Sequence, residues 1–87
     1  MYIHLGNNTM LPTNEIIGIF DLENASVSKR TRQFLTKAEK EGRVITISYD
    51  LPRSFVVAGK TAKDIKVYIS QISSSTLLKR TGYIDSL

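Results

Sequence analysis

With 87 residues, 41% of them hydrophobic and 23% charged, the chain has the balance of one globular domain rather than a disordered arm, and no apolar run approaches the ~20 residues that span a bilayer. A domain this small buries only about 60% of the surface its unfolded form exposes, and the absence of cysteine excludes a disulfide framework and a thiolate metal site, so subunit association is the expected source of further burial. Twelve Lys and Arg against eight Asp and Glu leave a formal net charge of +4, which permits a polyanionic partner without requiring one.

The start, Met1-Tyr2-Ile3-His4, has neither a basic n-region nor an apolar h-region, which leads us to expect a cytoplasmic protein. Alternation over Tyr2 to Leu5 predicts a short strand, Gly6-Asn7-Asn8 a hairpin turn with positive φ, and Thr9-Met10-Leu11 the antiparallel return. The run Glu15 to Leu22 is β-branched and aromatic and reads as a strand buried on both faces, with Gly18 marking a bulge or a close backbone approach. A helix follows from about Val27 to Glu41, capped by Ser26 or Asn24 and stopped by Gly42, with Val27, Thr31, Phe34, Leu35 and Ala38 on one stripe. Arg43 to Tyr49 alternates as a strand with one wet face, and Asp50-Leu51-Pro52-Arg53 interrupts it. Ser54 to Ala58 and Asp64 to Ile72 are two further strands, the second carrying Ile65, Val67, Ile69 and Gln71 on one face. Ser73-Ser74-Ser75 caps a short helical turn through Arg80. The expected architecture is α+β: a small, mostly antiparallel sheet domain over residues 1–81 with one main helix, followed by a tail at 82–87.

Groups that catalysis needs are scarce. His4 is the only histidine, so one subunit cannot assemble a Ser-His-Asp relay or a multi-histidine metal site, and His4 reads as a strand residue facing solvent or a neighbour. The glycines at 6, 18, 42, 59 and 82 are isolated, which leaves no phosphate-binding loop or dinucleotide fingerprint. Asp21/Glu23 and Glu39/Glu41 sit at a strand exit and a helix end, where solvated caps account for them. We expect no enzyme, no metal and no cofactor.

Basic charge is the positive signal. Lys29, Arg30 and Arg32 open the helix without an acid among them, where the backbone dipole disfavours cations by roughly 0.3–1 kcal/mol each. A phosphate docked among them, with Ser26, Ser28 and the first-turn N–H groups, would reverse that sign. Lys37 and Lys40 extend the surface before Glu39 and Glu41 dilute it. A solvated face softened by pairs such as Lys37/Glu41 accounts for the same residues equally well. Lys79 and Arg80 end a helical turn, where cations suit the dipole, and Arg53 follows Pro52 in an exposed turn as a phosphate or base reader.

The segments Tyr2-Ile3-His4-Leu5-Gly6, Ile16-Ile17-Gly18-Ile19-Phe20-Asp21, Pro52-Arg53-Ser54-Phe55-Val56-Val57 and Ser73-Ser74-Ser75-Thr76-Leu77-Leu78-Lys79-Arg80 resemble the RemB (YaaB-like) family of bacterial extracellular matrix regulators, a sister of the RemA family, over about residues 1 to 80. The resemblance implies a cytoplasmic regulator of biofilm-matrix genes. In the RemA branch it implies DNA-binding transcription factors that assemble into rings, bend DNA around themselves and have a fold likened to the LytTR DNA-binding domain. Of the arginines that serve RemA, one position is matched here by Glu15, and the turn that holds an arginine pair reads Leu51-Pro52, with Arg53 as the nearest cation. Binding to double-stranded DNA would therefore rest on Lys29, Arg30, Arg32 and Arg53, with Lys79 and Arg80 as a second patch.

These observations lead to a homo-oligomeric DNA-binding regulator without a membrane association. The alternative is a protein-interaction module that docks an acidic partner or a RemA-like sister. An enzyme acting on a small phosphorylated ligand has only the helix N-terminus in its favour.

Overall fold

A computed structural model describes residues 1–22 and 28–81 of the chain. Strands β1 (Tyr2–Gly6) and β2 (Thr9–Pro12) pair antiparallel, with Ile3 opposite Leu11 and His4 opposite Met10. The predicted turn between them takes positive φ at three successive residues, Gly6 (114°), Asn7 (43°) and Asn8 (64°), the residue types that reach this region at least cost.

One 3-10 turn at Thr13–Glu15 leads into β3 (Ile16–Asp21). Helix α1 (Lys29–Lys40) follows, then β4 (Val44–Thr46), β5 (Ser54–Ala58), β6 (Lys66–Ser70) and helix α2 (Ser74–Arg80). The second sheet has the order β3-β5-β6-β4. Strand β5 runs antiparallel to both neighbours, while β4 lies parallel to β6. That one parallel pair comes from α1, which carries the chain back along the sheet so that β4 sets out in the direction β3 took. The class is thus α+β with mostly antiparallel strands.

The four-stranded sheet is covered on both faces. On one, Val56 and Ala58 pack with Ile3, Leu5 and Leu11 of the hairpin and Leu77 of α2. On the other, Phe55, Val57 and Val67 pack with Ala38 of α1, joined by Leu35, Ile65 and Ile69. Every residue of β5 is buried.

This corrects the sequence reading of β3. The apolar run at 16–21 is an edge strand, not a strand buried twice, and Ile17 and Phe20 remain 60% and 41% exposed. Composition alone does not reveal which strand has neighbours on both sides. The expected bulge is present as a register shift between Ile16 and Gly18, and Gly18 leaves room for Phe20, whose ring stacks on Phe55 at 4.9 Å between centroids.

Helix α1 buries Ala38 fully and Leu35 and Thr31 partly, and it ends at Gly42 with φ 72°. Its N-cap is Ser28, whose side chain makes no capping hydrogen bond. The expected caps Ser26 and Asn24, and Val27 of the stripe, lie outside the described residues, as does the tail at 82–87. Strand β4 is shorter than the predicted Arg43–Tyr49. Beyond Thr46 the chain bends, and Ile47 packs toward the hairpin side. In α2 the predicted cap forms, with Ser73 Oγ accepting from the Thr76 N–H at 3.3 Å. Two buried serines fasten the layers at one end of the sheet: Ser70 Oγ donates to the Leu5 carbonyl (2.8 Å) and Ser54 Oγ to the Ile72 carbonyl (2.7 Å).

Candidate nucleic-acid interface

The register fixes which basic residues share an end of the molecule. Asp21, the last residue of β3, pairs with Ser54, the first of β5. Next to that pair the Leu22 N–H donates to the Arg53 carbonyl (3.0 Å) and the Arg53 N–H to the Ser70 carbonyl (2.9 Å). At the far end of α1, the Val67 N–H donates to the Arg43 carbonyl (2.9 Å), which places the helix C-terminus over the opposite end of the sheet. A 12-residue helix and a five-residue strand are both about 17–18 Å long. The first turn of α1, with Lys29, Arg30 and Arg32, therefore stands at the same end as Arg53.

Along the outer face of α1, Lys29, Arg32, Gln33, Thr36, Lys37 and Lys40 line one shallow groove, and all six are exposed. Their spacing, i, i+3, i+4, i+7, i+8, i+11, is one helical stripe, so four cations follow one another over about 16 Å at 1.5 Å per residue. By sequence adjacency, Glu39 and Glu41 are expected to dilute this surface. Instead, Glu39 lies with Leu35, Val44, Thr46 and Ile69 on the β4 side. Glu41 accepts from Arg43 Nε at 2.9 Å, an ion pair that replaces the expected Lys37/Glu41 pair. Among the described residues, no carboxylate lines this groove.

Arg30 belongs elsewhere. One step round the helix from Lys29, it borders an apolar groove of about 320 Å³ lined by Ile17, Phe20, Thr31, Phe34, Phe55 and Val57. Lys79 and Arg80 sit on α2, in the layer opposite α1. Arg80 Nη1 donates to the His4 carbonyl at 2.8 Å, which ties α2 to the hairpin. The structure thus groups Lys29, Arg32, Lys37 and Lys40, sets Arg53 at the end where that row begins, and places Arg30, Lys79 and Arg80 on other surfaces.

The remaining polar cluster surrounds Tyr68, beside Glu15, Lys60, Asp64 and Lys66 at the end of the sheet away from Arg53. Burial, and then the nearby Glu15 carboxylate, push the Tyr68 phenol above its ordinary value. Charges of both signs alternate there. Among the described residues no helix is long and apolar enough to cross a membrane, and no group of three or more His, Asp or Glu stands close enough to hold a metal ion.

These features define a small α+β domain whose exposed basic helix face stands clear of its core. Residues 2–81 match the model of the RemA-like family, "Extracellular matrix regulatory protein A-like". The chain is also 37% identical over 84 residues to "Extracellular matrix regulatory protein B" of Bacillus subtilis (strain 168), which covers 97% of this chain and 94% of that relative. The chain belongs to the RemA-like family of extracellular matrix regulatory proteins, as the opening, central and closing segments of its sequence suggested.

Proposed function

We propose that the protein is a cytoplasmic DNA-binding transcriptional regulator of extracellular-matrix and biofilm genes, acting as a homo-oligomer whose repeated basic faces contact duplex phosphates. The observation that carries this reading is the uninterrupted row Lys29, Arg32, Lys37 and Lys40 on α1. Each strand of a duplex presents one phosphate per about 3.4 Å of axis, so a row of about 16 Å runs past several of them. Lysine offers a point charge and arginine a fork that grips phosphate oxygens. Two of these cations stand in the first half of a helix that would be more stable without them, with a serine cap whose side chain makes no capping bond. An anion at that end offsets both costs.

Four cations are few for tight binding by one subunit, and an assembly multiplies them by effective concentration. Strand β3 offers the surface for a second copy. Among the described residues no strand pairs with its outer edge, and Ile17, Phe20 and Phe34 leave an exposed apolar rim there. A protein-interaction module, docking an acidic partner or a related family member, is the second reading. Glu15, standing in a cluster of mixed charge, favours it.

The test is fluorescence anisotropy of a labelled promoter-length duplex titrated with the full chain, beside a variant carrying Lys29→Ala, Arg32→Ala, Lys37→Ala and Lys40→Ala. All four side chains are exposed, so the variant keeps its fold. The reading predicts that binding weakens by at least a hundredfold at low salt. Equal affinity of the two proteins would remove α1 from the interface.

A further inference from the structure

One loop is exposed in a way the core does not explain. Between β4 and β5, Tyr49 is 96% exposed and Leu51 80%, the two largest exposures among the apolar and aromatic side chains of the described residues apart from Met1. Single exposed apolar residues are ordinary, but two in one seven-residue loop that also holds Pro52 and Arg53 are not scattered.

The loop is held at both roots. Before it, the Ile47 N–H donates to the Ile69 carbonyl (3.0 Å) and the Ile47 carbonyl accepts from Asn7 Nδ2 (2.8 Å). After it, Arg53 is bonded through its N–H to Ser70 and through its carbonyl to Leu22. Inside it, the Asp50 N–H donates to Ser48 Oγ at 3.2 Å, and Pro52 fixes its own φ. The tip is therefore presented from fixed supports, at the end of the sheet where Arg53 and the first turn of α1 also stand.

We propose that Leu51 is an apolar wedge that enters the minor groove of bound duplex DNA and separates one base step, with Tyr49 against the bases and Arg53 on the neighbouring phosphate. The proposal rests on the DNA-binding reading above and adds the manner of contact. Leu and Pro are among the side chains with which minor-groove proteins unstack base steps, and pyrimidine–purine steps such as TA yield most readily. Cations beside the tip suit this partner better than a protein surface, which would have to neutralise them while burying Leu51. Asp50, the one acid of the loop, keeps the loop from lying along a phosphate strand and leaves a tip-first approach.

The experiment uses AT-rich duplexes with 2-aminopurine, which fluoresces more strongly when unstacked, placed at successive TA steps. The full chain is titrated to saturation at low salt, with anisotropy reporting binding in the same samples. Wild type is expected to raise 2-aminopurine fluorescence at one or more steps as binding saturates. Leu51→Ala is expected to bind about tenfold more weakly and, at saturation, to give no rise, whereas Leu51→Met keeps it. Asp50→Asn is expected to tighten binding and leave the rise unchanged. If wild type binds without any change in 2-aminopurine, or Leu51→Ala unstacks as well as wild type, the wedge is overturned while the DNA-binding reading stands. Absence of binding by wild type overturns both.

Discussion

Gly59 and Gly18 are both closely approached, but what approaches them differs, and so should the cost of replacing them. A Cβ on Gly59 would lie 2.9 Å from the Ile65 Cα, so two stretches of backbone would have to part. On Gly18 it would meet the Phe20 ring at 2.6 Å, and that ring, on an edge strand and partly exposed, can swing outward. Gly59→Ala is therefore expected to lower stability by about 1–3 kcal/mol, as overpacking does. Gly18→Ala forfeits the stack on Phe55, worth about 0.5–1.5 kcal/mol, and recovers part of it from the lower entropy of its unfolded chain. Urea unfolding at one fixed protein concentration should show Gly59→Ala as the costlier change, and the reverse order would mean that the β5–β6 connection is not packed as described.

At the scale of elements, the proposed DNA contact sets function against stability in α1. Lys29 is the first helical residue, at the positive end of the dipole. Lys29→Glu is thus expected to stabilise the fold by about 0.5–1 kcal/mol, or a few degrees in Tm, while it weakens DNA binding. Thermal unfolding and a DNA titration on the same preparation check this. A variant that gained stability and lost no affinity would leave Lys29 without a role in binding. Much of this layout was legible beforehand: the Asn-rich hairpin turn, the limits of β5, the Gly42 stop and the Ser73 cap all follow from local chemistry that needs no partner. The burial of β3 was not legible, because an apolar run reads alike at the edge and in the centre of a sheet. Nor was the lining of the α1 groove, because Glu39 and Glu41 are neighbours of Lys40 in sequence, and only the packing sets Glu39 beside β4 and Glu41 on Arg43.

For the whole molecule, the proposed activity depends on assembly. Ile17 is exposed on the outer edge strand, so Ile17→Lys should leave each subunit folded while it puts a charge into the proposed contact between copies. Sedimentation velocity is expected to show the variant as a smaller species than wild type, with DNA affinity lower by about 10²–10⁴ as avidity is lost. An unchanged assembly would move the contact away from β3. The most direct measurement of the central claim is the slope of log binding constant against log salt concentration for the wild-type protein. One subunit neutralising four phosphates gives about −3.6 at −0.9 per phosphate, so an assembly that engages several α1 rows is predicted to be steeper than that. A slope near zero, with binding intact, would contradict a phosphate-contacting interface.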